Sequence, residues 1–363
     1  MKKTHITLVG GQPAPVYIGI KYSLPDKVIY LCSEQTIDDA HRVQEEFDIP
    51  AEFFILPPID LNQIEKEIEK LSRLVQNDQV TVNISGGTKP WTYHLTKTFS
   101  SRSDSSIFYV DQNNDVWDFS TKVCKHIEFD MDTLFRLYGN TPRGYKSLSE
   151  YTEEDFKAIK QIREIRKFNC KEFNLLTQKF SRKTNPVDTT NGSLVWDKDN
   201  NQIEMRLYNN KGILRSLKLT SSHCRDLFIN SGWFELEVAQ IIGQWEKAKE
   251  VRLNSLFPTK NNNPKNEIDL IVDTGIKLLF IECKTQIHNE TDLDKFRSAV
   301  INYGGLGSKA LFITDEPLKS TAIEKCKDNK IQSFSLKEYG GSSQCRQALF
   351  RMLEKELLNI NPK

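Results

Sequence analysis

Two apolar stretches in the last third of the sequence carry the charged residues best suited to chemistry. Asp269 interrupts the run at residues 268–272, and Glu282 and Lys284 close the run at residues 276–284. Acids inside apolar runs are unusual, because burying a carboxylate without a partner costs free energy. These three residues are therefore the first candidates for a catalytic site.

The turn between the two runs predicts that the three side chains converge. Its sequence, Asp-Thr-Gly, is typical of a β-hairpin. If residues 274–275 form a two-residue loop, Asp269 lies opposite Phe280. The period of two along a strand then puts Phe280, Glu282 and Lys284 on the same face as Asp269.

Such a face would suit a divalent cation. Asp269 and Glu282 become diagonal neighbours with backbones about 7–8 Å apart, a span that two carboxylates can close around Mg²⁺ or Mn²⁺. The ion would activate water and neutralise a phosphate, and Lys284 would stabilise developing charge. Ile271 and Leu278 lie among the acids and favour burial. The alternative is an exposed hairpin with an ordinary Glu–Lys ladder.

A second candidate site follows the predicted strand at residues 80–84. The loop consists of Ser85, Gly86, Gly87, Thr88 and Lys89. Its glycines permit close backbone approach, and a helix that begins at Thr88 would point free amides at an anion or a ribose hydroxyl. Lys89 adds positive charge. The spacing matches neither the P-loop nor the dinucleotide-binding fingerprint.

Two further loops are expected beside this one. The first predicted strand ends in Gly10, Gly11 and Gln12, and the second is followed by Ser33 and Thr36. In a parallel sheet the carboxyl ends of the strands meet at one edge, where ligands bind. The alternative, for any one loop, is that these residues only build turns and helix caps.

The elements that would position these loops alternate along the first 119 residues. Helical patterns separate the predicted strands, and the clearest covers residues 61–76. The strands are predicted at residues 6–9, 28–32, 53–56, 80–84 and 107–110. Alternation of this kind predicts a Rossmann-like α/β domain with a parallel sheet covered on both faces.

The remaining sequence predicts a connecting region and a second α/β domain. Turn residues break the pattern between 140 and 153, and a new alternation starts near residue 232. We predict an N-terminal domain at 1–140, a connecting region of basic helices and a β-hairpin at 141–225, and a C-terminal α/β domain at 226–363.

The connecting region contains a basic helical stretch at residues 156–180. Its positive residues include Arg163, Arg166 and Lys167, with few acids nearby. We interpret it as a solvated helix face or a dimer element, and the alternative is contact with nucleic acid.

Composition excludes several classes of protein. The 363 residues carry 50 Lys and Arg against 49 Asp and Glu, a net charge of +1, which argues against wrapping duplex DNA over a broad surface. The apolar runs are too short for a membrane span, and the N-terminus lacks the pattern of a signal peptide. Seven cysteines without paired spacing indicate neither disulfides nor a zinc ribbon. A cytoplasmic protein is expected.

The N-terminal loops resemble those of a known sensor family. A strand followed by Ser-Gly-Gly-Thr-Lys and a helix is similar to the CRISPR-associated Rossmann fold (CARF) domain. The resemblance implies that cyclic tetraadenylate binds across a homodimer. It assigns ligand contacts to the loops at residues 10–12 and 85–89, with Ser33 and Thr36 as weaker inferences from loop position.

The C-terminal residues resemble the PD-(D/E)xK nuclease core, in which Glu282-Cys283-Lys284 supplies the E-x-K element. The segments Gly-Trp-Phe-Glu at 232–235 and Tyr-Gly-Gly-Leu at 303–306 narrow the resemblance to the CARF-linked nucleases of type III CRISPR defence. The resemblance implies Glu235 as a further acid, Asp269, Glu282 and the Cys283 carbonyl as metal ligands, and Lys284 as the catalytic lysine. Glu267 and Gln286 become candidates for contacts to the metal ligands or to the substrate. Phe234 stands where the family usually has Leu.

Together these motifs predict a homodimeric endonuclease that is activated by cyclic tetraadenylate and depends on Mg²⁺ or Mn²⁺. The expected substrate is single-stranded DNA, single-stranded RNA or both, and nicking of supercoiled DNA is included in this expectation. No contact with a membrane is expected. One alternative is a sensor that binds nucleic acid or a partner without cleaving. The other is a CARF domain that degrades its own messenger.

Overall fold

The structure is a computed structural model that describes residues 1–128, 130–181, 185–228, 231–258, 264–286, 291–305, 307–339 and 342–358. The chain divides into two compact units. The first comprises Met1–Pro142, Gly275–Leu278 and Ala299–Ser308, and the second comprises Arg143–Thr274, Leu279–Ser298 and Lys309–Lys363. None of the described helices is both long and apolar enough to cross a lipid bilayer.

The first unit is built on one seven-stranded sheet. Strands β1 to β7 cover Lys3–Leu8, Lys27–Cys32, Ala51–Ile55, Gln79–Asn83, Ser105–Val110, Asp115–Asp118 and Cys124–His126. Helices α1 to α5 cover Pro13–Ser23, Ile37–Gln44, Leu61–Leu74, Lys89–Phe99 and Met131–Leu137. The strand order is β3-β2-β1-β4-β5-β6-β7, with β1 to β5 parallel and β6 and β7 antiparallel.

Both faces of the central strands β1, β2 and β4 are buried, which explains why these strands are apolar runs. On one face Ile6 and Val82 pack in a cluster with Ile68 of α3. On the other face Tyr30 packs in a cluster with Val16 of α1. The predicted Rossmann-like α/β domain is confirmed.

Helix α3, which had the clearest helical pattern in the sequence, shows how local residues determine where a helix begins and which face it buries. Asp60 caps its first turn by accepting the Gln63 N–H at 3.0 Å. Ile64, Ile68 and Leu71 are buried, and the Glu and Lys residues between them face solvent.

From Arg143 onward the chain forms two sheets. Strands β8 to β17 cover Gly144–Ser147, Val187–Thr189, Gly192–Asp197, Gln202–Tyr208, Leu214–Leu219, Glu250–Pro258, Pro264–Asp273, Leu278–Lys284, Lys309–Thr314 and Gln332–Ser335. A six-stranded sheet has the order β17-β16-β15-β14-β13-β8, and a four-stranded antiparallel sheet has the order β12-β11-β10-β9.

Helices surround these sheets. The helices α6 to α12 cover Glu153–Phe168, Cys170–Ser181, Cys224–Phe228, Gly232–Ile242, Thr291–Gly304, Ser320–Asp328 and Ser342–Met352. One apolar cluster includes Ile162 of α6, Leu207 of β11, Trp233 of α9 and Ile281 of β15. The region predicted as a connector therefore shares its core with the strands that carry the candidate acids.

Two details of the sequence-based expectations are wrong. The loop between β14 and β15 spans residues 274–277, which is four residues rather than two, with Gly275 at φ +75°. In the basic stretch, which forms two helices separated at Asn169, Lys157, Lys160 and Lys167 are exposed, but Arg163 and Arg166 form internal ion pairs instead of facing solvent. Periodicity alone cannot distinguish a basic exposed face from one that meets acids elsewhere in the chain.

Candidate functional site

Four charged side chains of the second unit come from three elements. Asp269 lies in β14, Glu282 and Lys284 lie in β15, and Glu235 lies in the first turn of α9. The two strands are neighbours in the six-stranded sheet. The sheet and one helix therefore supply the whole set.

The strand residues lie in direct contact. Lys284 Nζ is 2.6 Å from Glu282 Oε1 and 3.6 Å from Asp269 Oδ2. The Cys283 N–H donates to Asp269 Oδ2 at 2.7 Å. An ammonium group thus sits between two carboxylates, and a main-chain donor fixes the orientation of one of them.

Glu235 is held by a residue that the sequence analysis missed. Asn254 Nδ2 donates to Glu235 Oε2 at 2.8 Å. Asn254 has φ +49° and stands in β13 between the partners of Ile268 and Leu270, opposite Asp269. Asparagine tolerates the left-handed region better than most residues, which is the only sequence signal for this role.

The charges perturb one another strongly. Burial, followed by repulsion from Asp269, raises the pKa of Glu235 to about 8 and that of Glu282 to about 7. Burial also raises the pKa of Asp269, although Lys284 opposes the shift. Burial by itself lowers the pKa of Lys284, but Asp269 and Glu282 outweigh it and raise that pKa. The site has a deficit of positive charge, as expected of carboxylates arranged to receive a cation.

The hairpin is not the exposed ladder that the alternative interpretation required. Ile271, Leu278 and Phe280 are buried, and only 8% of Asp269 is exposed. The opposite face contributes Leu270 and Ile281 to the main apolar core. The acids therefore lie in a sheet that is covered on both faces.

The donor set fits a hydrated divalent ion. In the described part of the chain, no group of three His, Cys, Asp or Glu side chains already forms a closed metal cage. Mg²⁺ does not need one, because it usually binds through one or two carboxylates, keeps several waters and takes substrate phosphate oxygens. Asp269 and Glu282 both contact Lys284, so two carboxylates lie close together, and carboxylate oxygens are ligands that such an ion takes.

The two remaining residues that the resemblance proposed lie nearby. Glu267 is exposed in β14 and adds repulsion to Glu235 and Asp269. Gln286 is half-buried just after β15. Of the Tyr-Gly-Gly-Leu segment, Leu306 lies outside the described residues.

The first unit brings its three predicted loops to one edge. They follow β1, β2 and β4, which are adjacent parallel strands. The chain order reverses between β1 and β4, and ligands of open α/β sheets bind at such a switch point. The strand order therefore places the three loops where a ligand of such a sheet would bind.

Glycines let two of these loops touch through their backbones. A Cβ on Gly86 would lie 2.3 Å from the Leu8 carbonyl oxygen, and one on Gly10 would lie 3.0 Å from Gly87 N. Gly87 has φ +70°. No other residue fits at Gly86 without moving β1, so the loop conformation depends on this residue.

Several predicted ligand contacts also hold the loops together. The Ser85 hydroxyl accepts the Val110 N–H at 2.6 Å, and Thr36 Oγ1 accepts the Ser33 N–H at 3.0 Å. Thr88 begins α4 as its N-cap residue but makes no capping side-chain bond, and its buried Oγ1 has no partner among the described residues. Lys89 is exposed. The Lys89 side chain is thus accessible to a ligand, whereas the Thr88 hydroxyl is buried.

Gln12 has a partner that the sequence did not reveal. Tyr138 Oη donates to Gln12 Oε1 at 2.7 Å. Tyr138 follows α5, far from the loop in sequence, and no motif marks it. This contact fixes the side-chain amide of Gln12.

Family models match the two regions of the chain that contain these sites. Residues 4–131 match the Card1 CARF domain, and residues 222–345 match the Card1-like endonuclease domain. This chain is a CARF-domain endonuclease, with a Card1 CARF domain followed by a Card1-like endonuclease domain. The CARF domain contains the glycine loops, and the endonuclease domain contains all four charged residues.

Solved structures share the fold over nearly the whole CARF endonuclease. Can2 from Sulfobacillus thermosulfidooxidans, in complex with cyclic tetra-adenylate, has a TM-score of 0.69 at 19% identity, covering 97% of this chain and 98% of that one. Protein VC1899 from Vibrio cholerae has a TM-score of 0.73 at 17% identity, with the same coverage.

A third structure is similar over part of its length. A type III CRISPR defence DNA nuclease activated by cyclic oligoadenylate has a TM-score of 0.53 at 14% identity, covering 92% of this chain and 50% of that one. No curated protein sequence is significantly similar to the chain.

Proposed function

We propose that the chain is a metal-dependent endonuclease of type III CRISPR defence that cyclic tetraadenylate activates and that cleaves single-stranded DNA or RNA as a homodimer. The observation that carries the proposal is the coexistence of two sites in one chain. One is a backbone-lined loop edge suited to phosphate and ribose, and the other is a buried acidic site with a lysine.

The messenger site is supported by the chemistry of the loop edge. Gly86 and Gly87 carry no side chain in the loop before α4, and the helix N-terminus favours an anion. Lys89 is exposed beside them, and the Thr88 hydroxyl lacks a described partner. The similarly folded Can2 structure holds cyclic tetra-adenylate.

Dimerisation is supported by apolar residues near the same edge. Ile55, Ile59, Leu61 and Tyr93 are 51%, 74%, 55% and 61% exposed. They flank a loop tied to α4, because Trp91 Nε1 donates to the Pro57 carbonyl at 2.8 Å. A second copy would cover them, and a ring of four identical nucleotides matches a two-fold axis between the copies.

In the endonuclease domain each residue has a distinct task. Asp269, Glu282 and the Cys283 carbonyl would hold the divalent ion. When bound, the ion supplies Lewis acidity at the scissile phosphate and makes an attacking water more acidic. Lys284 stabilises negative charge that develops on the phosphate, and Glu235 completes the acidic set.

Activation requires that the messenger bind the active dimer more tightly than the inactive one, because a ligand with equal affinity for both states shifts nothing. The complete acidic set argues against a sensor that binds nucleic acid or a partner without cleaving.

The purified chain would be incubated with labelled single-stranded DNA, single-stranded RNA and supercoiled plasmid, with and without Mg²⁺ or Mn²⁺. Each reaction would be run without messenger and with cyclic oligoadenylates of several ring sizes.

Cleavage that needs both cyclic tetraadenylate and the divalent ion is the expected result. Binding of the messenger without cleavage of any substrate would favour the non-catalytic sensor and overturn the proposal. Labelled messenger incubated with the Glu282→Gln variant tests messenger degradation, because the CARF domain is unchanged in that variant.

A further inference from the structure

A buried network of charged residues lies behind the acidic site. Arg163 of α6 contacts Glu237 through two nitrogen atoms, with Nε to Oε1 at 2.7 Å, and its Nη1 is 2.9 Å from Asp315 Oδ1. Arg166 Nη1 also pairs with Asp315. Both guanidinium groups lie over the ring of buried Trp233, at 5.5 and 5.6 Å from its centroid. Three segments, α6, α9 and the end of β16, therefore meet at Arg163.

One arm of the network acts on the helix that carries Glu235. Glu237 follows Glu235 by two residues in α9, so the two side chains point in directions roughly 200° apart. Glu235 faces Asn254 on the sheet, and Glu237 faces Arg163 on α6. The helix is held from both sides, and the Arg163 contact sets the rotation that directs Glu235 toward Asp269.

The other arm acts on the strand that carries Glu282 and Lys284. Asp315 follows β16 directly, and its N–H donates to the Lys284 carbonyl at 3.3 Å. Lys284 is paired with Thr314 in the parallel β15–β16 ladder. Arg163 thus contacts a residue that is hydrogen-bonded to the backbone of the catalytic lysine.

Stability alone does not explain this network, because burying charged groups costs free energy. Asp315 and Arg166 are each 4% exposed, and Nε and Nη2 of Arg166 are buried without a partner among the described residues. Buried ion pairs are often no more stabilising than apolar residues of the same volume. Their presence here is better explained by the specific geometry they impose.

We infer that Arg163 is a positioning residue for the endonuclease reaction, which holds Glu235 on α9 and the Glu282–Lys284 end of β15 in register for the divalent ion. The inference rests on the proposed metal-dependent cleavage. It assigns a role to a helix outside the segment that matches the endonuclease family, since α6 ends before residue 222.

The test compares Arg163→Lys and Arg163→Gln with Arg215→Lys in the full-length protein. Lysine keeps the charge but cannot contact Glu237 and Asp315 with a rigid fork. Arg215 stacks on Phe168 of α6, 5.0 Å from its centroid, and serves as the matched control. Mn²⁺ binding would be measured by electron paramagnetic resonance without substrate, and cleavage at saturating cyclic tetraadenylate would give kcat, KM and the half-saturating metal concentration.

For both Arg163 variants we expect Mn²⁺ affinity and kcat to fall by about 10-fold or more, with KM and messenger affinity within about twofold, as for loss of one charge-assisted contact. Arg215→Lys should match the wild type. A lower melting temperature with wild-type Mn²⁺ affinity and kcat per folded molecule would mean a merely structural role and would overturn the inference.

Asp315→Asn repeats the test from the other partner if Arg163→Gln fails to fold. Wild-type protein without metal-dependent cleavage would instead overturn the proposed function, and the inference with it.

Discussion

The two functional regions of this chain are built by opposite means. The loop edge of the CARF domain consists largely of backbone, and its shape depends on the absence of side chains at Gly10 and Gly86. The endonuclease site consists of side-chain charges, and its properties depend on mutual repulsion and attraction among Glu235, Glu282 and Lys284. A backbone site fails when an atom is added, whereas a charge site fails when a charge is removed. This difference predicts which substitutions each site tolerates.

The largest expected effect is in the charge site. Lys284→Ala removes the cation between Asp269 and Glu282, so messenger-stimulated cleavage should fall by about 1,000-fold, comparable to losing a key electrostatic donor. Messenger affinity should not change. Cleavage would be followed on labelled single-stranded substrate, with thermal denaturation as a check on folding. Lys295→Ala, an exposed lysine of α10, is the control and should stay within about twofold. More than about a tenth of wild-type activity in Lys284→Ala would exclude a catalytic role for this lysine.

The next effect breaks the backbone site by adding one methyl group. In Gly86→Ala the Cβ would meet the Leu8 carbonyl at 2.3 Å, so β1 or the loop must move. We expect the CARF domain to lose about 2 kcal/mol of unfolding free energy and messenger affinity to fall by about 10-fold or more. Gly11→Ala, whose Cβ meets no atom within 4 Å, should fold like the wild type. Denaturant unfolding and messenger titration measure both quantities, and equal unfolding free energies of the two variants would refute the close-packing argument.

A third effect concerns a neutral buried histidine of the CARF domain, in contrast to the charged groups buried in the endonuclease domain. His5 is buried beside Thr81, and burial lowers its pKa to about 3, against 6.5 in the unfolded chain. The unfolded chain therefore binds a proton below pH 6.5 that the folded domain refuses, so stability is lost as pH falls. Between pH 7 and pH 5 the loss is about 2 kcal/mol. Urea unfolding of the wild type, His5→Gln and the exposed-site control His41→Gln at both pH values tests this. Because Glu235 and Glu282 also titrate in this range, the test is the difference between variants: from pH 7 to pH 5 the unfolding free energy of His5→Gln should fall by about 2 kcal/mol less than that of the wild type, whereas His41→Gln should behave like the wild type. Identical pH dependence in His5→Gln and the wild type would contradict the assignment.

The smallest effect concerns one side-chain hydrogen bond in the loop edge of the CARF domain, which otherwise consists largely of backbone. Tyr138→Phe keeps the ring but removes the hydroxyl that donates to Gln12. We expect messenger affinity to fall by about 2- to 10-fold, the usual worth of one hydrogen bond. Tyr109→Phe, at an exposed tyrosine of β5, should leave affinity unchanged. Identical affinities of the two variants by calorimetric titration would remove Tyr138 from the messenger site.

The sequence predicted most of what depends on local pattern. Buried parallel strands are apolar runs, so β1 to β5 and their loops were found, and alternation brought Asp269, Glu282 and Lys284 to one predicted face. Asn254, Tyr138 and Arg163 were missed, because their roles come from contacts 19, 126 and 74 residues away that leave no periodic signal.

The turn between β14 and β15 was also mispredicted, for a related reason. The Asp-Thr-Gly sequence correctly indicated a reversal, but the number of residues in the loop depends on how the strands pair. Register is set by the packing of both strand faces, and that packing involves residues distant in sequence.

The most direct test of the account is a paired measurement on Glu282→Gln. The variant removes one carboxylate charge with almost no change in shape, and Lys284 keeps Asp269 as a partner. Titration with cyclic tetraadenylate and cleavage of single-stranded substrate with Mg²⁺ or Mn²⁺ would be done on the same preparation. We predict wild-type messenger affinity with cleavage reduced by about 1,000-fold or more. Metal-dependent cleavage at the wild-type rate would contradict the claim that this acidic site performs the reaction.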